Sequence, residues 1–243
     1  GADYSIGSDT AVNNITEVVD KIKQSAVASG RCFVVEVMGR DCGYLALMSG
    51  LATGAEHVYL PEEGVSLADL EADLETLKAG FRRGKRLGLM IRSEHVDPVY
   101  TTGFIRALFE REGGDLFDVR ESILGHVQQG GNPSPFDRIQ ATRLASKCVE
   151  YLVEQLHGDS PTSAFIGLQK GKVRFTNLAE FDRMIERGLL RRAYEAGGVT
   201  IYVSGDPINT SRLSGSFLDF DFDLDDFRDR EYAPFYWGKD LYP

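Results

Sequence analysis

The feature that most constrains the fold is a short apolar run followed at once by a glycine-containing turn and a helical pattern. Residues 32–37 read CFVVEV, which has the length and the β-branched content of a buried strand. The turn Met38-Gly39-Arg40-Asp41-Cys42-Gly43 separates this run from a helical pattern over residues 44–52. A strand that passes through such a turn into a helix predicts one unit of an α/β layer.

The same turn is a candidate anion site. A helix N-terminus has unpaired backbone N–H groups and the positive end of the helix dipole. Gly39 lets a ligand approach the backbone closely, and Arg40 supplies a planar guanidinium that suits phosphate. Turns with a glycine and an arginine are common, however, so this motif alone favours an ordinary structural turn.

Helical and strand patterns alternate along most of the chain. Helices are predicted over residues 10–28, from Ser66 to about residue 81, around 104–109 and over 137–156, with a further strand over 87–91. Two short strands around Lys170-Gly171-Lys172 predict a hairpin over 164–176. The predicted fold class is therefore α/β, a layered parallel-type sheet with flanking helices.

A second glycine-rich loop carries a histidine. It reads Gly125-His126-Val127-Gln128-Gln129-Gly130-Gly131, Arg120 precedes the histidine by six residues, and Arg31 stands just before the first strand. Taken singly, an arginine is most often a surface or packing residue, and a lone histidine is most often a structural hydrogen-bonding group. Their shared position at strand ends beside glycines is typical of binding loops in α/β proteins.

Five ordered blocks of sequence resemble the 6-phosphofructokinase family. They are residues 1–11 (GADYSIGSDTA), 36–40 (EVMGR), 91–94 (IRSE), 124–131 (LGHVQQGG) and 135–138 (PFDR). The similarity extends from Gly1 to about Thr176. It implies a phosphofructokinase-like sugar-phosphate domain, part of a phosphotransferase that converts ATP and fructose 6-phosphate to ADP and fructose 1,6-bisphosphate in glycolysis.

The resemblance also implies a set of binding residues. In similar proteins the fructose phosphate is held by the Met-Gly-Arg turn, by a glutamate that takes sugar hydroxyls, and by the histidine of the Gly-His loop. The matching residues here are Met38, Gly39, Arg40, Glu94, His126, Val127, Gln128 and Gln129. Two further arginines of that family reach the phosphate from a neighbouring subunit, and they match Arg31 and Arg120. Binding would then depend on assembly into a homo- or hetero-oligomer of phosphofructokinase subunits.

Eukaryotic members of the family contain two fused halves, and the resemblance favours the half that binds the allosteric activator fructose 2,6-bisphosphate. Catalytic halves usually carry an arginine where this chain has Gln129, and residues 92–94 and 99–102 also look like the effector half. Arg40 is typical of catalytic sites, whereas several animal effector halves have glycine there. Two alternatives therefore stay open: the fructose 6-phosphate-binding part of a catalytic half, and an assembly domain that binds nothing.

The resemblance places the catalytic machinery outside this segment. The family's catalytic carboxylate lies a few residues before the block that opens this chain, so no catalytic residue is assigned here. The nucleotide-binding loops also lie upstream, and the sequence contains no P-loop and no Gly-x-Gly-x-x-Gly motif. ATP and Mg²⁺ are accordingly expected for the whole enzyme and not for this segment, which is expected to be a fragment or the ordered part of a longer polypeptide.

Composition limits the classes of partner that the chain is expected to bind. The net charge of −10 over 243 residues argues against nucleic acid, which demands a basic face, and no membrane span or signal peptide is recognisable. The three cysteines, Cys32, Cys42 and Cys148, show neither a disulfide framework nor the spacing of a zinc site, which favours a reducing cytoplasm and no metal site.

Three segments are predicted. The resemblance implies that residues 1–127 form a sugar-phosphate or effector-binding α/β domain and that residues 128–203 return to pack on a nucleotide-type domain. Residues 204–243 form an acidic, aromatic tail or docking arm. In the tail, Leu218, Phe220, Phe222 and Leu224 alternate with aspartates, which is the period of a strand with one apolar and one acidic face. A calcium loop needs Gly at position six and Glu at position twelve, and counting from Asp219 these are Leu224 and Arg230, so a docking arm is favoured.

Overall fold

A four-stranded parallel sheet is the centre of the fold in the computed structural model, which describes residues 5–40, 42–158 and 161–180 and the backbone of two later strands. The helices are α1 (Ser8–Ser29), α2 (Tyr44–Thr53), α3 (Leu67–Arg82), α4 (Thr102–Gly113) and α5 (Pro135–His157). The strands are β1 (Arg31–Val37), β2 (His57–Tyr59), β3 (Leu87–Ser93), β4 (Asp118–Ile123), β5 (Ala164–Gln169), β6 (Lys172–Asn177), β7 (Thr200–Val203) and β8 (Asp206–Asn209). Short 3₁₀ helices span Gly114–Leu116, Gly125–Gln129 and Leu178–Glu180.

The strand order in the sheet is β2-β3-β1-β4, and all pairs are parallel. In this register Val37 at the end of β1 lies opposite Ser93 at the end of β3, and Glu36 lies opposite Ile123 at the end of β4. The carboxyl ends of three strands are therefore level with one another. This topology confirms the α/β fold with a parallel sheet and flanking helices.

Helices cover both faces of the sheet, so each strand contributes to two cores. The α1 and α2 side is packed by residues that include Ile15, Val19, Val35, Val37, Leu47, Leu89 and Ile91. The α3 and α4 side is packed by residues that include Cys32, Val34, Leu70, Leu74, Met90, Ile105, Phe109 and Val119. Alternate residues of β1 enter opposite cores, as the period of a strand requires.

The helix starts follow local capping chemistry. Ser66 accepts a hydrogen bond from the N–H of Asp69, whose side chain accepts in return from the N–H of Ser66, which is a complete capping box at α3. Thr101 and Ser134 cap α4 and α5 by a single bond each, in which the hydroxyl accepts from the N–H of Phe104 and of Asp137. The predicted helices all form, and their ends lie within a few residues of the predicted ones.

Two strands of the sheet, β2 and β4, were not predicted from the sequence. β2 has only three residues, too few for a periodic signal, and β4 is an edge strand whose sequence DVRESI has one buried residue, Val119. Because an edge strand leaves one side to solvent, its charged residues mask the apolar pattern that marks a strand. The hairpin predicted over 164–176 is confirmed as β5 and β6, with Gln169 opposite Lys172.

The later part of the chain is described only in its backbone strands. β7 and β8 form a two-stranded antiparallel hairpin. The tail predicted to dock through its phenylalanine face lies outside the described residues from residue 210 onward. The boundaries predicted at 127/128 and 203/204 stay predictions. No helix among the described residues is long and apolar enough to cross a membrane.

Candidate functional site

Three loops meet at the carboxyl edge of the sheet. The Met38–Arg40 turn follows β1, Glu94 follows β3, and the 3₁₀ helix Gly125–Gln129 follows β4. Since β1 lies between β3 and β4, its turn is flanked by the other two loops. This edge is where open parallel sheets place their ligands.

Backbone geometry fixes the Met38–Arg40 turn. A Cβ atom on Gly39 would lie 2.4 Å from the carbonyl oxygen of Cys42 and 3.0 Å from Oγ of Ser93, so only glycine fits. Arg40 has a φ of 52°, in the left-handed region that non-glycine residues seldom occupy, and its side chain is exposed. The turn therefore presents the Arg40 guanidinium to solvent at the sheet edge.

The carboxylate of Glu94 binds the backbone of this turn. Its Oε1 accepts hydrogen bonds from the N–H groups of Gly39 at 3.2 Å and Arg40 at 2.7 Å. The backbone donors that the sequence predicted for an anionic ligand thus already hold a carboxylate of the protein. The side chain of Arg40, in contrast to its backbone N–H, makes no ion pair with any carboxylate that the structure describes.

The first backbone donor of α2 also has a protein partner. The N–H of Gly43 donates to both carboxylate oxygens of Glu62, at 2.8 and 3.0 Å. Burial raises the pKa of Glu62, although this hydrogen bond acts to lower it. An internal carboxylate, which the sequence did not single out, therefore binds the N–H of the residue just before α2, close to where an external anion was predicted.

The histidine loop has one buried side chain and three exposed ones among residues 126–129. Gln128 is 1% exposed, and its amide accepts from the N–H of Met38 at 2.9 Å and donates to the oxygen of Met38 at 3.4 Å. His126, Val127 and Gln129 face solvent, and Nδ1 of His126 lies 3.1 Å from Oε1 of Gln129. The side chain of Gln128 therefore joins the loop to the turn, and its three neighbours are exposed at the sheet edge.

Beneath Glu94 lies a buried arginine that the sequence did not single out as a site residue. Arg92 donates to the carboxylate of Glu36 at 3.0 Å, and Thr102 donates to the same carboxylate oxygen. The other hydrogen bonds of Arg92 go to the backbone oxygens of Ser93, Glu94, Asp97 and Tyr100. Arg92 thus fixes the loop that begins with Glu94. The available sequence signal was that Arg92 is the one charged residue of the strand LGLMIRS.

Arg31 and Arg120 lie away from the other predicted residues. Arg31 begins β1, and at about 3.3 Å per residue the seven residues of that strand put it about 20 Å from the turn. Both arginines approach Asp118, at 3.5 Å and 3.9 Å. One chain therefore forms two separate clusters: Met38, Gly39, Arg40, Glu94 and His126 at the carboxyl edge, and Arg31 and Arg120 around β4.

Metal binding has no support in the described part of the chain, where no group of three or more His, Cys, Asp or Glu residues is placed to hold an ion.

Comparison with known proteins bears on the resemblance noted in the sequence. The family model for Phosphofructokinase matches residues 1–152. The chain belongs to the phosphofructokinase family. The ATP-dependent 6-phosphofructokinase of Dictyostelium discoideum is 52% identical over 182 residues, which are 74% of this chain and 22% of that protein.

Solved phosphofructokinases share the fold. The structure from Saccharomyces cerevisiae matches with a TM-score of 0.70 and 33% identity over 79% of this chain and 28% of that one. The T-state structure from Pichia pastoris matches with a TM-score of 0.67 and 36% identity over 88% of this chain and 25% of that one. This phosphofructokinase chain thus spans about a quarter of the length of the proteins it resembles.

Proposed function

We propose that this chain is the effector-binding half of an ATP-dependent 6-phosphofructokinase and that it binds fructose 2,6-bisphosphate. The observation that carries the proposal is the meeting of Arg40, Glu94 and His126 on three loops at one edge of the sheet. An exposed guanidinium and an imidazole next to a carboxylate match the charges and hydroxyls of a sugar phosphate.

Each group has a distinct part in binding. The guanidinium of Arg40 binds a phosphate group, because its planar fork donates two hydrogen bonds in parallel. His126 donates to the same ligand from the opposite loop. Oε1 of Glu94 is held by the turn, so its other carboxylate oxygen is the one that accepts a sugar hydroxyl.

Arg31 and Arg120 enter this proposal from a neighbouring subunit. They lie too far from the turn to reach a ligand bound by Arg40 of the same chain. They share one exposed region beside β4, where Ile123 is 62% exposed. Packing this region against the carboxyl edge of another copy would add two cations to each site, and ligand binding would then require the oligomer.

A second candidate is the fructose 6-phosphate-binding part of a catalytic half, and Arg40 is the observation that favours it. Arg40 is the residue type of catalytic sites in the family, and a left-handed backbone costs an arginine more than a glycine, which favours a use for its side chain. Gln129 argues for the effector half, because it occupies the position where catalytic halves usually have arginine. The third candidate is an assembly domain without a ligand.

The whole enzyme would transfer phosphate from ATP, with Mg²⁺, to fructose 6-phosphate, in the cytoplasm. This segment would supply regulation and contacts between subunits, since no catalytic carboxylate or nucleotide loop is assigned to it.

Isothermal titration calorimetry on the full chain in its native assembly tests the proposal. A loss of fructose 2,6-bisphosphate affinity in Arg40→Ala supports the effector half, a loss of fructose 6-phosphate affinity alone supports the catalytic half, and unchanged affinity for both supports the assembly domain. Arg40→Ala should weaken binding by about 1.5–3 kcal/mol, because it removes charge-assisted hydrogen bonds. Arg82→Ala, an exposed arginine at the end of α3, is the matched control and should leave the affinity unchanged.

A further inference from the structure

Helix α1 holds the histidine loop through a residue that no resemblance marks as part of the site. Nδ2 of Asn14 donates to the carbonyl oxygen of Gln128 at 3.1 Å and to that of Gly130 at 2.5 Å. Both N–H donors of the Asn14 amide are therefore used, and they hold the backbone of the three consecutive loop residues 128–130. An amide NH₂ group can do this because it carries two hydrogens, which neither serine nor aspartate offers.

Asn14 lies on a helix that is fixed by its packing against the core. Ile15 and Val19, on the buried face of α1, are fully buried in the core, so Asn14 cannot move without the helix. One turn before Asn14, Oγ1 of Thr10 accepts from the N–H of Ser134 at 3.0 Å. The segment from Gln128 to Ser134 is thus tied to α1 at two places, by residues four apart on one helix face.

The loop backbone also lies in close contact with the side chain of Asn14. Gly131 has a φ of 86°, and a Cβ built on it would lie 3.4 Å from Oδ1 of Asn14. The loop backbone therefore runs along the amide, where a larger residue would be strained by its left-handed φ.

Asn14 acts on the ligand site through Gln128. The backbone oxygen of Gln128 is held by Asn14, while its buried side chain holds both backbone polar groups of Met38. A continuous chain of hydrogen bonds therefore runs from α1 through the histidine loop to the Met38–Arg40 turn. We infer that Asn14 is a positioning residue that sets the separation between His126 and Arg40 for sugar-phosphate binding.

This inference rests on the proposed function only for the identity of the ligand. The sequence offers a matched control, because Asn13 precedes Asn14 on the same helix and is exposed. Comparing Asn14→Ala with Asn13→Ala in the full native assembly keeps helix propensity and composition the same.

Two measurements separate the inference from the proposed function. Hydrogen exchange mass spectrometry without ligand follows the peptide that contains Met38, whose N–H is bonded to Gln128. N14A should speed its exchange about tenfold, with little change in peptides of α3, and N13A should not. Calorimetry with fructose 2,6-bisphosphate and fructose 6-phosphate should then show an affinity about tenfold weaker for N14A and unchanged for N13A.

Each outcome has one meaning. Unchanged exchange at Met38 in N14A, or equal acceleration in N13A, overturns the positioning role whether or not a sugar phosphate binds. Faster exchange with unchanged affinity also overturns it, because the loop would then be held without consequence for the ligand. If the unsubstituted protein binds neither sugar phosphate, the proposed function fails, and acceleration confined to N14A would show that Asn14 still positions the loop.

Discussion

The guanidinium of Arg92 and the carboxylate of Glu36 form a buried ion pair at 3.0 Å between neighbouring strands, directly below the candidate site. Arg92 is 1% exposed, and its remaining hydrogen bonds go to backbone oxygens of the loop that carries Glu94. A buried charge is tolerable only when it is paired and hydrogen-bonded, which this arrangement achieves. The pair therefore connects the core of the sheet to the loop that carries Glu94.

Removing one partner of this pair should be costly. Arg92→Met leaves Glu36 without its cation and four backbone oxygens without a donor, so we expect a loss of about 3–5 kcal/mol in the free energy of unfolding. Urea denaturation measures the loss. Arg82→Met, an exposed site, should change stability by less than about 0.5 kcal/mol. Equal effects of the two substitutions would contradict a structural role for the buried pair.

Two adjacent glutamines should respond differently to the same substitution. Gln128→Leu removes the acceptor of the Met38 N–H and should cost about 1–3 kcal/mol, since a buried donor is left unpaired. Gln129→Leu changes an exposed residue and should leave stability within about 0.5 kcal/mol. Thermal unfolding followed by circular dichroism compares them. A larger loss for Gln129→Leu would show that the loop faces the opposite way.

Gly39 should not accept even one methyl group. In Gly39→Ala the Cβ would clash with the carbonyl of Cys42, so the turn must shift, at a cost of about 1–3 kcal/mol. Gly130→Ala is the control, because the nearest atom to its Cβ is 3.9 Å away. Chemical denaturation of both variants tests this contrast, and a tolerant Gly39 would mean that the turn is more open than described.

Much of the fold and part of the site were predictable, for reasons visible in particular residues. Strand β1 has the length and β-branched content of a buried strand, helix α3 has an apolar stripe with the period of a helix, and Ser66 marks a helix start by local chemistry alone. The carboxyl-edge residues follow from strand order once the sheet is parallel. Asn14, Glu62 and Arg92 could not be found in this way, because their partners lie 19 to 116 residues away or depend on register.

Asp137 should give the fold a dependence on acid pH. Its carboxylate accepts hydrogen bonds from the N–H of Gly7 at 2.9 Å and of Thr10 at 2.8 Å, which supplies α1 with the cap that its own sequence lacks. Burial acts to raise the pKa of Asp137, but the hydrogen bonds from Thr10, Gly7 and Ser134 hold it below its ordinary value of 3.8.

The sign of the pH effect follows from this lowered pKa. The unfolded chain binds the proton more tightly, so the stabilisation is complete above pH 3.8 and is lost as the pH falls through the lower pKa of the folded state. Asp137→Asn should cost about 1.5–3 kcal/mol at pH 7, and its deficit relative to the unsubstituted protein should shrink below pH 3.8. Urea denaturation at pH 7 and pH 3 measures both, and a deficit independent of pH would contradict the role of the charge.

The exposed face of α5 should make the 243-residue chain self-associate. Ile139, Val149, Leu152, Val153 and Leu156 are each at least 48% exposed on this helix, and no described residue covers them. Contiguous apolar patches of this kind mark interaction surfaces, and the 3-and-4 spacing of Val149, Val153 and Leu156 suits a partner helix. Sedimentation velocity of the isolated chain should therefore show association that grows with protein concentration.

A matched pair of valines locates that association. Val149 on α5 is 61% exposed and Val99, in the loop before α4, is 65% exposed, so Val149→Lys and Val99→Lys introduce the same charge at equal exposure. Only Val149→Lys should shift the distribution toward the monomer, because it places an ammonium group inside the patch, where association would have to desolvate it. Equal shifts would show that added charge suppresses association nonspecifically, and a shift only for Val99→Lys would place the interface at the site loops and away from α5.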